Sequence, residues 1–186
     1  MNDRQIAIQR IQSLLNTKEL ASLGPDMRAG REPAPTLERV LAEVFDDTKL
    51  QPSTQPLVRS LVLLWHDHLD ESHSLSQNIH NADGSFLHGI MHRREPDYGN
   101  AKYWFHRVGA HACYPMISEK VAGALDDAIP GNLKSKLVRA GRWDAFAFVD
   151  ACESAWRARD QTTIEILQRI QEIECKTLLD YFLRQS

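Results

Sequence analysis

Apolar positions along this chain recur at helical spacing and rarely alternate. Ile6, Ile8, Ile11, Leu14 and Leu15 form a rough stripe over residues 3–16, and a shorter turn over Thr17–Leu23 ends at Gly24-Pro25. The segment Gly24–Pro35 holds three prolines and two glycines and reads as a loop. Leu37, Val40, Leu41, Val44 and Phe45 then mark an amphipathic helix that Asp46-Asp47 would stop. Ser53 and Thr54 offer caps ahead of Pro56, and the pattern predicts one long helix from there to about His80. Asn81-Ala82-Asp83-Gly84 breaks it. Asp83 or Ser85 can cap a short helix over 85–95, which Pro96 ends because the residue before a proline is driven out of the helical region. Tyr98-Gly99-Asn100 reads as a turn and Ala101–Val108 as another short helix before Gly109.

Further helices are expected near 116–128, 132–140 and 144–159, the last carrying Phe146, Val149, Cys152 and Trp156. Thr162 and Glu165 stand at capping-box spacing and open a terminal helix with Ile164, Leu167, Ile170, Leu178 and Phe182 along one side. Strand alternation with hairpin turns, internal repeats and low-complexity tracts are all missing from the pattern. The expected fold is all-α, an irregular bundle of about seven helices, with residues 1–186 forming one domain.

Composition narrows the functional classes. A length of 186 residues suits one ordinary core, and no apolar run approaches the eighteen or so residues of a membrane helix. The N-terminus MNDRQIAIQRIQ interleaves charges with its apolar residues, unlike a signal peptide, so the expected location is cytoplasmic. Cys113, Cys152 and Cys175 are widely spaced and odd in number, which suggests buried thiols and neither a disulfide framework nor a cysteine zinc site. A net charge of −3 gives no electrostatic case for nucleic-acid binding. The stripe of the terminal helix could pack inside the domain or against a second copy, so oligomeric state stays open.

The chemistry concentrates in one stretch. All eight histidines lie between His66 and His111, together with Arg93, Arg94, Lys102 and Arg107. On a continuous helix His66, Asp70, His73, Gln77 and His80 would share one face, while His68 would fall on the apolar side. His66, Asp70 and His73 are therefore the expected catalytic groups. His88, His92 and Glu95 stand at i, i+4 and i+7, and the Asn81–Gly84 turn would fold their helix back toward His73 and His80. A divalent metal such as zinc, iron, manganese or nickel could then sit on His73, His88, His92 and Glu95, with His66 and Asp70 nearby and a position open for water. The blander account is a histidine border on a polar face.

The basic residues suggest an anionic small-molecule ligand. Arg93, Arg94, Lys102 and Arg107 could hold phosphate or carboxylate, and Tyr98 and Trp104 could stack on a ring. Equally, Glu95 and Asp97 could pair the arginines while Trp104 and Phe105 serve the core.

Known catalytic patterns fit poorly. His66-Asp67 lacks the upstream histidine of an HD-type phosphohydrolase, and Asp70…His73 lacks the second copy and extra glutamates of a ferritin-like di-metal bundle. The stretch WHDHLDESH…HGIMHRREPDYGNAKYWFHRVG over residues 60–115 resembles a family of uncharacterised bacterial proteins with similar fungal relatives, which carries no established activity. That resemblance singles out His66, Asp70, His73, Gln77, His88, His92, Arg93, Arg94, Glu95, Asp97, Tyr98, Asn100, Lys102 and Trp104. The expected function is a metal- or histidine-assisted hydrolase-type enzyme acting on an anionic small molecule. The alternative is a non-catalytic anion-binding or interaction protein whose histidine cluster is structural.

Overall fold

Ten helices and one two-residue hairpin make up the described part of the chain, residues 2–124 and 132–185 of a computed structural model. Helix α1 (Asp3–Ser13) starts at Asn2, whose side chain accepts from the Gln5 N–H while the Gln5 side chain returns to the Asn2 N–H. The loop that follows ends at Pro33, two residues earlier than expected, and α2 (Ala34–Thr48) takes Pro35 into its first turn and ends one residue beyond the expected Asp46-Asp47 stop, before Lys49 in the left-handed conformation. Helix α3 (Gln55–Trp65) is buried over nearly its whole length and occupies the centre of the molecule.

The long helix expected from residue 53 to 80 is two helices, α3 and α4 (Leu69–Ser76). The break is at Asp67, whose φ of 66° no α-helix accommodates. The carboxylate explains the turn: Oδ2 accepts from the Arg28 N–H and Nε at 3.0 and 2.7 Å, and Oδ1 accepts from Arg94 Nη2 at 2.6 Å. Burial by itself pushes Asp67 up, but hydrogen bonds and charge from Arg28 and Arg94 outweigh it and hold the carboxyl below its ordinary range.

Helix α5 (Ala82–Arg94) is capped by Asn81, which accepts from the Gly84 N–H at 2.9 Å, in place of the Asp83 or Ser85 cap that the pattern suggests. Gly84 is needed there, since a Cβ would stand 2.1 Å from the Ile79 carbonyl oxygen. Helix α6 (Tyr98–Val108) begins at the Asp97 cap and absorbs the expected Tyr98-Gly99-Asn100 turn into its first turn. It lies close on α5 because Gly89 leaves room: a Cβ would meet the Phe105 ring at 2.8–2.9 Å.

Helix α7 (Tyr114–Ala124) covers most of the expected 116–128 helix, of which residues 125–128 lie outside the described residues. In place of a helix over 132–140 there is a short α8 (Leu133–Leu137) followed by a hairpin of β1 (Val138–Arg139) and β2 (Arg142–Trp143). Ala140 and Gly141 turn it with φ of 51° and 74°, the geometry that a two-residue hairpin demands. Asp144 caps α9 (Ala145–Ala158), and Asp160, in place of Thr162, caps α10 (Gln161–Arg184). Leu167, Ile170, Leu178 and Phe182 of α10 join the buried residues of α3, α5, α6 and α9 in one continuous core. No helix among the described residues is long and apolar enough to cross a membrane.

Candidate functional site

The break at Asp67 separates the histidines expected on one face. His66 closes α3 as a buried side chain whose Nδ1 accepts from the Glu32 N–H at 3.2 Å, leaving Nε2 to donate to the Leu14 carbonyl at 2.8 Å. Burial dominates and pushes its imidazole below the ordinary value. His68 donates from Nε2 to the Glu32 carbonyl at 2.7 Å. The two rings thus grip the consecutive peptide units on either side of Glu32. His66 is a clamp, remote in role from the catalytic group expected of it, because the left-handed Asp67 turns α4 out of line with α3. His111 is another fixed ring: Nδ1 accepts from the Cys113 N–H at 3.1 Å, and Nε2 donates to Asp83 at 2.9 Å.

His73, His88 and His92 do come together. The Asn81 cap folds α5 back along α4, so that the His73 ring centre lies 5.1 Å from that of His88 and 5.6 Å from that of His92. His88 and His92, one helical turn apart, are 5.9 Å apart and nearly parallel. The other face of the stack is Trp104, which lies on His88 at 4.0 Å with an interplanar angle of 17°. His73 meets both neighbours edge-on and is half-buried, while His88 and His92 are buried.

Hydrogen bonding fixes the tautomers. The Asn100 amide donates to His92 Nε2 at 3.1 Å, so the His92 proton is on Nδ1 and is donated to Glu95 Oε2 at 3.0 Å. His88 Nδ1 points at the Gly84 carbonyl, 3.3 Å away, one turn back. Burial pushes the His88 imidazole down to about 4, against the Gly84 bond and with help from His73 and His92. Burial also outweighs the Glu95 carboxylate and lowers His92. Both rings are therefore neutral at pH 7, with a basic lone pair on Nε2.

The arginines lie elsewhere. Consecutive helical positions differ by about 100°, so Arg93 and Arg94 leave α5 in different directions. Arg93 runs to α10, where it donates to Glu174 at 2.5 and 3.3 Å and to Gln171 at 3.2 Å, with both charged side chains fully buried. Arg94 donates to Asp67 and to the Leu64 carbonyl. These two are structural cations, and the substrate-binding role expected of them is corrected on that ground: neither guanidinium reaches solvent. Lys102 pairs with Asp150 on α9, and Tyr98 is buried. Arg107 sits over the rings of Tyr103 and Trp104 and makes no ion pair among the described residues, so of the expected substrate group it is Trp104 that stacks on an imidazole, with Arg107 lying against Trp104.

Beside the cluster is a cleft of about 790 Å³ between the 24–35 loop and the start of α4, lined by Arg31, His68, Asp70, Glu71 and Glu95 among others. Glu95, which carries the bond to His92, connects the two. Asp70 stands on the cleft and one turn before His73. Sequence reading overlooked the hold that Asn100 has on His92, and the one signal for it was its place in the quoted motif. Among the described residues no three His, Cys, Asp or Glu side chains surround a single ion position as they stand. No protein-family model, curated protein or solved structure matches the chain.

Proposed function

We propose that this protein is a histidine-assisted hydrolase-type enzyme, with His73, His88 and His92 as its working cluster. The observation that carries the reading is His92: a neutral imidazole with Nδ1–H held by a carboxylate and Nε2 free to act as a base once the Asn100 amide yields its place to water. Water gives a proton to Nε2 as its oxygen attacks an acyl or phosphoryl centre. The Glu95 carboxylate stabilises the imidazolium, which returns the proton to the leaving group. Arg107 over Trp104 offers a guanidinium for an anionic substrate.

The test is hydrolysis of p-nitrophenyl acetate and p-nitrophenyl phosphate by the full chain against His92→Gln and Glu95→Gln. Turnover above the solvent rate that His92→Gln abolishes, and that Glu95→Gln lowers by about 10²–10⁴-fold, supports the assignment. Turnover indifferent to both changes refutes it. A second reading rests on His66, His68 and His111, each bonded to backbone or carboxylate. In it the imidazoles only lock helices together, and every histidine substitution lowers stability while no ligand protects the protein against heat.

A further inference from the structure

A second cleft, of about 570 Å³, is lined by the end of α6, the start of α7, the 138–143 hairpin and the first turn of α9. That volume lies within the roughly 300–1,000 Å³ of small-molecule sites. Phe105, Tyr114, Trp143 and Phe146 give it aromatic walls, and the Phe146 ring is open to solvent. The hairpin is fixed on α7 by Ser118, whose hydroxyl donates to the Gly141 carbonyl at 2.8 Å, and the Trp143 ring rests on Phe148 with centres 5.2 Å apart.

Two independent observations there point to an anion. The hairpin register sets Arg139 directly opposite Arg142, where like charges destabilise paired strands. The carboxylate that lines the cleft beside them is Asp144, with one oxygen 3.9 Å from Arg139 and the other taken by the Ala147 N–H at 2.9 Å as the cap of α9. Arg142 has no partner among the described residues, so the guanidinium groups of the cleft exceed its carboxylates by one. The other observation is the Trp143 indole. Trp143 is 5% exposed and stands on the cleft wall, and its buried Nε1 meets no acceptor among the described residues. Buried donors are nearly always paired, so this N–H calls for an acceptor that a ligand would bring. The Tyr114 phenol likewise makes no hydrogen bond to the described residues, and burial pushes its pKa up, so it keeps its proton as a further donor.

We propose that this cleft binds a small aromatic carboxylate, its ring among Phe105, Tyr114 and Phe146 and its carboxylate shared between Arg142 and the Trp143 indole N–H. The two oxygens of a carboxylate have lone pairs enough for both donors, and its single charge matches the excess of one guanidinium. The site shares no lining residue with the histidine cluster and goes beyond the hydrolase reading.

The experiment is titration of the ¹⁵N-labelled full chain with 2-naphthoate, read on the indole N–H resonances of its four tryptophans. Trp143→Phe identifies the Trp143 signal by its loss. The expected result is one naphthoate per chain, with the Trp143 indole signal moving downfield as it gains an acceptor. Arg142→Ala, at an exposed side chain that leaves the fold intact, should weaken binding about tenfold to a hundredfold, and Trp143→Phe about tenfold. Uncharged 2-naphthamide should bind at least tenfold more weakly than naphthoate. Arg157→Ala, on an exposed arginine outside the cleft, and His92→Gln should both bind naphthoate as the parent does, so this site and the hydrolase reading fail separately. A Trp143 signal that naphthoate leaves in place, an amide that binds as tightly, or an affinity untouched by Arg142→Ala overturns the proposal. A preference for 2-naphthyl phosphate over naphthoate overturns the carboxylate class.

Discussion

Replacing Glu174 by Gln should unfold this protein far more readily than its conservative appearance suggests. Arg93 and Glu174 are both inaccessible to solvent, and the carboxylate takes two guanidinium hydrogen bonds at 2.5 and 3.3 Å. The amide keeps the shape and loses the charge, which strands a cation in the core. Breaking a buried pair in this way costs about 3–5 kcal/mol. Gln171 and the Phe148 ring face, 4.2 Å from the guanidinium carbon, stay in place, so the lower end, about 3 kcal/mol, is expected. With a urea slope of about 2 kcal/mol/M that is a midpoint shift of about 1.5 M, and a fall in Tm of roughly 6–12 °C. The pair Arg93→Met with Glu174→Leu removes both charges and should recover most of the loss, because well-packed apolar replacements of buried ion pairs are often neutral or stabilising. Urea unfolding of the two single variants and the double gives the coupling directly. A Glu174→Gln protein melting within about 2 °C of the parent, or a double variant whose loss is the sum of the singles, would refute the account of Arg93 as a paired core cation.

Other consequences are as direct. Gly89→Val places a branched side chain against the Phe105 ring and should cost about 1–3 kcal/mol by thermal melt, with Phe105→Leu restoring part of it. Asp67→Asn weakens the grip on Arg28, and trypsin should then cut after Arg28 or Arg31 faster than in the parent, as mass spectrometry of timed digests would reveal. For pH, His66 is held below its ordinary value of 6.5 in the folded chain, so the unfolded chain binds the proton first. Its contribution is complete above pH 6.5 and is lost as pH falls through that value toward the folded one. The urea midpoint of the parent should therefore drop between pH 7.5 and 5, and His66→Gln should flatten that part of the curve; equal slopes would discredit the clamp.

The periodicity of apolar residues located most helices because burying a stripe is the dominant local demand, and α2, α9 and α10 show it clearly. What periodicity could not reveal was the break at Asp67. Nothing near residue 67 is a glycine or proline, and the left-handed turn is enforced by Arg28 and Arg94, 39 and 27 positions away in sequence. Adjacent arginines likewise read as an anion-binding pair or as partners of Glu95 and Asp97, since their actual partners, Glu174 on α10 and Asp67 at the α3–α4 break, are distant in sequence. The hairpin at 138–143 escaped because two-residue strands are too short to alternate. The grouping of His73 with His88 and His92 was legible because it depends on one local reversal, and Asn81 and Gly84 encode that reversal within four residues.

The grip of His66 and His68 on Glu32 has a consequence for how this chain can vary. Both contacts are made to the backbone, N–H on one side and C=O on the other, while the Glu32 side chain is exposed. Position 32 should therefore tolerate almost any side chain, proline excepted, because proline alone lacks the N–H that His66 accepts. A loop tethered by its peptide units is free to exchange the side chains that it turns toward the neighbouring cleft. Diversity at Met27, Arg31 and Glu32 can accumulate there as long as Arg28 keeps its hold on Asp67, which makes Met27 and Arg31, both on the cleft wall, the natural places to engineer a new lining.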